Sequence, residues 1–157
     1  MNTSKLKDFA PQARVSLQEQ VGAKLDYVLG ADTAELREKS TQISQIRSSV
    51  EKEGREAYID RIAYTWFNRI SALRFIDARG YHPFGCRVIT AEPGKVQPEI
   101  LALALSGALP PEIPADRARI NDLLDGRIPS SNPQAEVYRH LVLAVCAHYH
   151  KLLPFLF

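Results

Sequence analysis

Cysteine is scarce in this 157-residue chain: Cys86 and Cys146 stand far apart with no CxxC spacing. A disulfide framework or a paired-thiol redox motif is therefore excluded at the level of sequence. No apolar run approaches the ~20 residues that a membrane-spanning helix needs, and the longest, LVLAVCA, is followed at once by His148 and His150. The opening MNTSKLKDFA has no apolar core of the kind a signal peptide carries. These absences predict a cytoplasmic chain with reduced thiols and no membrane span. Charge of one sign is not in excess either: residues up to Gly80 hold 13 basic against 11 acidic side chains and the rest 7 against 7, which sums to the net +2. A protein that binds DNA by neutralising phosphates concentrates its basic residues, so this balance speaks against strong independent DNA binding and leaves room for weak or assisted contact. Phosphate-loop, dinucleotide, serine-hydrolase and zinc-protease signatures (GxxxxGKS/T, GxGxxG, GxSxG, HExxH) are all missing. The chain does not read as a complete enzyme.

What is present is the composition of an ordinary globular protein, 45% hydrophobic and 24% charged, in a length suited to one domain. Residues 11–29 place Pro11 in a first helical turn and Leu17, Val21, Leu25, Val28 and Leu29 on one face, stopped by Gly30. Asp32 or Thr33 caps a second, mostly polar helix to about Glu53, whose thin stripe of Leu36, Ile43, Ile46 and Val50 predicts an outer position. The helical pattern from Arg55 to Arg79 is the longest and closes at Gly80. A Gly- and Pro-rich loop follows, with a short strand at Cys86–Thr90, and then short helices at Pro98–Ser106 and Ala115–Asp125. Ser131 or Asn132 caps a final helix with Pro133 at its first position, running to about Leu153. The expectation is an all-α single domain of about six helices around the long central one.

On a helical wheel Ile59, Ile62, Ala63, Trp66, Phe67, Ile70 and Leu73 of the central helix share one face, with Tyr64, Phe75 and Ile76 adding apolar bulk elsewhere. A helix this apolar on all sides predicts a buried central strut. Arg61, Asn68, Ala72 and Arg79 fall on a narrow opposite stripe, which makes Arg61, Asn68 and Arg79 the candidates for contact with DNA or a partner. Asn68 and Arg69 have a plainer reading, as a solvated edge or as ties to a neighbouring loop. Arg74 and Asp77, three apart within the apolar arc, predict a partly buried ion pair that fixes the reversal at GYHPFG. Arg74→Ala is then expected to loosen the domain.

Cys146 and His150 share a helix face, but His148 points elsewhere and a structural zinc site needs four ligands. His82, Cys86 and His140 could complete such a set only by a coincidence of folding, so no metal is expected. His82 sits in a constrained turn that could be a functional loop, though tight turns use Gly and Pro for backbone reasons alone. The ending LLPFLF is apolar at five of six positions, which predicts either a tucked terminus or a chain cut from something longer.

Residues 63–85, AYTWFNRISALRFIDARGYHPFG, together with MNTSKLKDFAPQAR, LDYVLGADTAELREK and NPQAEVYRHLVLAVCAHYHKLLPFLF, resemble the start of the PglX family. These are large type IIG-like DNA adenine methyltransferases of bacteriophage-exclusion (BREX) defence systems, in which a Trp-Phe-Asn-Arg-x-x-Ala-Leu-Arg-Phe core recurs. The resemblance spans essentially the whole chain. It implies a parent enzyme that moves a methyl group from S-adenosylmethionine to the N6 of adenine in DNA. The family's Asn/Asp-Pro-Pro-Tyr/Phe catalytic motif and glycine-rich cofactor motif are absent, and SNPQ at residues 131–134 is explained by helix capping. The resemblance therefore implies a non-catalytic N-terminal helical domain over residues 1–157, with no catalytic residue and no cofactor of its own. Its expected partners are the methyltransferase core of the same polypeptide, DNA through the parent, and other BREX proteins. The alternative is a freestanding helical adaptor or regulator of phage defence.

Overall fold

The computed structural model describes residues 3–157, and side chains for Lys7 and residues 9–157. Among the described residues it is all-α: α1 (Thr3–Gly30), α2 (Ala34–Glu38), α3 (Ser40–Glu53), α4 (Arg55–Arg79), α5 (Glu99–Leu105), α6 (Arg117–Leu124) and α7 (Pro133–Leu152). The count is seven where about six were expected, because the second predicted helix is two. Thr33 caps α2 by accepting from the Leu36 N–H, and the backbone leaves the helical track at Lys39 before α3 begins. Pro11 does not open α1 but lies inside it, where it removes one backbone donor from the ladder. The other caps follow local chemistry. Asp116 accepts from the Arg119 N–H and Asn132 from the Ala135 N–H, with Pro133 in the first turn of α7.

The chain forms two compact units, one ending at Phe67 and the other Asn68–Phe157. In the first unit α1 packs on α3 and α2 on α3. Burial among its described residues is sparse: Leu25 and Leu36, with Ile59 and Ala63 from α4. No residue of α3 is buried, as its thin apolar stripe predicted. Gly22 is buried, and Ile59 Cδ1 would lie 3.5 Å from a Cβ at that position. Arg14 reaches Asp60 at 2.7 Å and Arg55 reaches Asp26 at 2.8 Å across the helices. These pairs are exposed and solvated, and they fix register more than they stabilise.

The second unit holds the principal core. Helices α5 and α6 both pack on α7, and Leu73, Ile100, Ile113, Leu123, Val137, Leu141 and Val145 are almost wholly removed from water. Each such side chain contributes about 1.5–3 kcal/mol through burial. The contribution of α4 is Ala72, Leu73 and Ile76. Ala72, expected on the narrow stripe opposite the main apolar face, is buried instead, while Tyr64, Ile70 and Phe75 are 67%, 43% and 56% exposed. The central helix is thus amphipathic, not buried all round.

Helix α4 ends at Gly80, whose φ of 65° lies in the left-handed region. The Tyr81 N–H donates to the Ile76 carbonyl at 3.1 Å and the Gly80 N–H to the Asp77 carbonyl at 3.2 Å. This is the paired hydrogen bonding of a Schellman ending. A Cβ at Gly80 would meet nothing within 4 Å, so Gly80→Ala is expected to cost only the backbone strain, about 1–2 kcal/mol. Equilibrium urea unfolding measures it.

The predicted strand at Cys86–Thr90 does not form. His82, Phe84, Cys86 and Val88 alternate as buried positions, the period-two pattern of a strand. Yet the only pairing described nearby is one isolated antiparallel bridge between Ala91 and Pro98. The backbone donors of this segment go to side-chain carboxylates instead.

Candidate functional site

Those carboxylates build the most extensively hydrogen-bonded polar site of the described residues. Asp77, in the last turn of α4, is 3% exposed. Its Oδ1 accepts from the Val88 N–H at 2.8 Å, and its Oδ2 from the Ile89 and Thr90 N–H groups at 3.0 and 2.9 Å and from the Thr90 hydroxyl at 3.0 Å. Three successive backbone donors curl around one anion, an anion-binding nest filled from within the chain. The remaining partner is His82, whose Nε2 lies 2.7 Å from Asp77 Oδ1 and whose Nδ1 lies 2.9 Å from the Tyr149 hydroxyl. The assignment that satisfies all three groups has Nε2–H donating to the carboxylate and Nδ1 accepting from the Tyr149 O–H. Glu99 supports the same loop by accepting from the Arg87 N–H at 3.0 Å.

Burial alone would raise the Asp77 pKa. The hydrogen bonds from His82, the Val88 and Ile89 N–H groups and the Thr90 hydroxyl outweigh it and hold the carboxyl below the usual range. Tyr149 is pushed up, first by burial and then by the Asp77 charge. The Cys86 thiol rises to about 11 through burial, with Glu99 and Asp77 adding to it, so it is not a nucleophile at neutral pH.

A cleft of about 460 Å³ lies beside this network, lined by Gly80, Gly85, Arg87, Glu92, Pro93 and Glu99 among others. It offers no activated nucleophile, and both nitrogens of His82 are engaged. What the arrangement does chemically is tie the 82–90 loop to the end of α4 and to α7.

The expected Arg74–Asp77 ion pair is corrected by this geometry. Arg74 is exposed and makes no ion pair with Asp77, whose charge is met by His82 and the loop. Spacing of three places two residues on neighbouring helix positions but does not force both inward, and the longer Arg74 stays in water. Arg74→Ala is therefore expected to leave the melting temperature unchanged. Of the contact candidates, Arg61 in the first unit is gripped by Glu53 through two bonds of 2.9 and 2.6 Å and stacks over Tyr58 at 5.1 Å. Asn68 is half-buried and Arg79 is exposed, both in the second unit. Arg69 is half-buried as well.

Sequence reasoning noted His82 as a functional-loop candidate but not its partners. The available signal was a buried-face aspartate five residues before a histidine in a rigid turn. No cluster among the described residues is suited to a metal ion. Cys146 is buried, His148 packs edge-on against Phe84 at 5.3 Å, and His150 Nδ1–H bonds the Phe157 carbonyl. Phe157 itself is 4% exposed and stacks on Tyr149 at 5.1 Å, but residues 152–156 are exposed, so of the apolar ending only this ring packs inward. No described helix is long and apolar enough to cross a membrane.

No protein-family model matches the chain, and no solved structure does. Among curated proteins, all of the chain aligns at 29% identity, over 181 positions, with the adenine-specific methyltransferase BrxX of Escherichia coli O9:H4 (strain HS). A further alignment, 28% identical over 130 positions and 64% of the chain, is with the adenine-specific methyltransferase PglX of Lacticaseibacillus casei (strain Zhang). The chain spans only 14% of the first relative and 11% of the second. These alignments relate it to the BREX adenine-specific methyltransferases, of whose length it corresponds to a small part.

Proposed function

We propose that this chain is a non-catalytic helical domain of a BREX-type DNA adenine-N6 methyltransferase, which supports the catalytic core and contributes contacts to DNA or to a protein partner. The observation that carries this reading is the alignment of the whole chain with a small share of an adenine-specific methyltransferase. The residues present do not fit the methyl donor. S-adenosylmethionine is held by a glycine-rich turn in this family, whereas the left-handed glycines here, Gly54, Gly80, Gly85, Gly94, Gly107 and Gly126, serve helix ends and turns. The most polar buried site has its carboxylate taken up by the 82–90 loop and its imidazole by Asp77 and Tyr149. S-adenosylmethionine, DNA and the cytoplasmic setting enter through the parent enzyme.

Two measurements test the reading. Calorimetric titration of the chain with S-adenosylmethionine is expected to give no saturable heat, and a clear binding isotherm contradicts the non-catalytic assignment. Deletion from E. coli BrxX of the segment aligned with this chain is expected to abolish adenine methylation, with recovery when the segment is supplied in trans. Full methylation by the deleted enzyme contradicts the supporting role.

A further inference from the structure

The end of α4 carries a group of side chains that neither the core nor the Asp77 network uses. Phe75 and Tyr81 are 56% and 65% exposed, although aromatic rings of this size gain from burial. They are held in place. Their rings meet edge to face, 6.3 Å between centroids and 69° between planes, which is the apolar contact that accompanies a Schellman ending. Tyr81 is followed directly by His82, fixed by Asp77 and Tyr149. The Arg79 guanidinium lies 5.7 Å from the Phe75 centroid, and Arg74 is exposed one residue before Phe75.

Arg14, Arg37, Arg55, Arg61 and Arg127 each lie against a carboxylate, whereas Arg74 and Arg79, like the exposed Arg47, Arg117, Arg119 and Arg139, take part in no ion pair among the described residues. What distinguishes the end of α4 is that such charges accompany the exposed Phe75–Tyr81 ring pair. A ligand suited to this patch carries negative charge and a flat π face together. Single-stranded nucleic acid repeats that combination at every nucleotide, while a duplex hides its base faces in the stack and offers phosphates alone.

We propose that Phe75, Tyr81, Arg74 and Arg79 form a stacking platform for an unpaired stretch of DNA, the aromatic rings taking a base and the arginines its flanking phosphates. The proposal rests on the reading of the chain as part of an adenine methyltransferase, since enzymes that modify bases act on extruded or single-stranded nucleotides.

The test uses the whole chain and fluorescence anisotropy at low salt, with a short fluorescein-labelled oligo-dA strand and the same strand annealed to oligo-dT. The single strand is expected to bind more tightly than the duplex. Phe75→Leu with Tyr81→Leu keeps an apolar contact at the helix end but removes the rings, and it is expected to weaken single-strand binding about tenfold. Arg74→Ala with Arg79→Ala is expected to flatten the slope of log affinity against log salt by about 1.4. Unchanged thermal melts establish that both variants are folded. Absence of binding, equal binding of strand and duplex, or ring variants that bind like the parent chain overturn the proposal. So does capture of a protein by the platform while oligonucleotides stay unbound. The supporting role fails separately, through methylation that survives deletion of the aligned segment.

Discussion

Asp77→Asn is expected to destabilise the second unit by about 3–5 kcal/mol, the cost of leaving two or more buried donors without the anion that holds them, at about 1–3 kcal/mol each. Folded domains are stable by about 5–15 kcal/mol, so this single isosteric change should remove a large part of the total. Asn fits the space but not the chemistry. Asp77 receives hydrogen bonds from the His82 Nε2, the Val88, Ile89 and Thr90 N–H groups and the Thr90 hydroxyl, and an amide offers one acceptor oxygen and turns an N–H₂ group toward the rest. Buried donors are then left without partners, which costs their full desolvation. Urea unfolding followed by circular dichroism measures the loss. Its pH dependence is a second signature. Because the folded carboxyl titrates below its ordinary value of 3.8, its stabilisation is fully present above that value and is lost as pH falls through the lower, folded value. The stability difference between parent and Asp77→Asn should therefore be constant near neutrality and close below about pH 3.8. A difference that persists in strong acid contradicts the role given to the charge.

Leu141→Ala is expected to cost about 2–5 kcal/mol. Leu141 is 0% exposed and sits on α7, the helix on which both α5 and α6 pack. Truncation removes apolar contacts in a place where three helices limit collapse into the space left. Leu141→Met, which nearly preserves volume, should cost less than about 1.5 kcal/mol. The pair is read from denaturant midpoints at unchanged slope. Equal effects of Ala and Met would mean that the site is not tightly packed.

The elements most legible in the sequence are those set by local chemistry. Helix α4 begins and ends where the pattern placed it, at Arg55 and Arg79, because an apolar period and a left-handed glycine specify it without help from elsewhere. Helix α7 is announced by Asn132 and Pro133 in the same way. Where a donor's partner lies far along the chain, local reading fails. The segment from His82 to Val88 has the alternation of a strand, but the N–H groups of Val88, Ile89 and Thr90 find the Asp77 carboxylate before any second strand. The Arg74–Asp77 pairing failed for the related reason that helix spacing says who is near and not who is inside. The break at Lys39 and the start of α1 ahead of Pro11 show the same limit at element boundaries. The methyltransferase relationship was legible from the Trp66–Phe75 segment and its companions. Neither periodicity nor charge balance carries that information.

The central claim is that this chain works as one part of a much larger adenine methyltransferase. Mass spectrometry of the native polypeptide that carries MNTSKLKDFA in its source cells, on the intact chain and on its peptides, tests that most directly. The account predicts a mass far above 17.6 kDa, with peptides that continue past Phe157 and include the catalytic motif absent here. A native chain that ends at Phe157 would contradict it and would point to the freestanding adaptor.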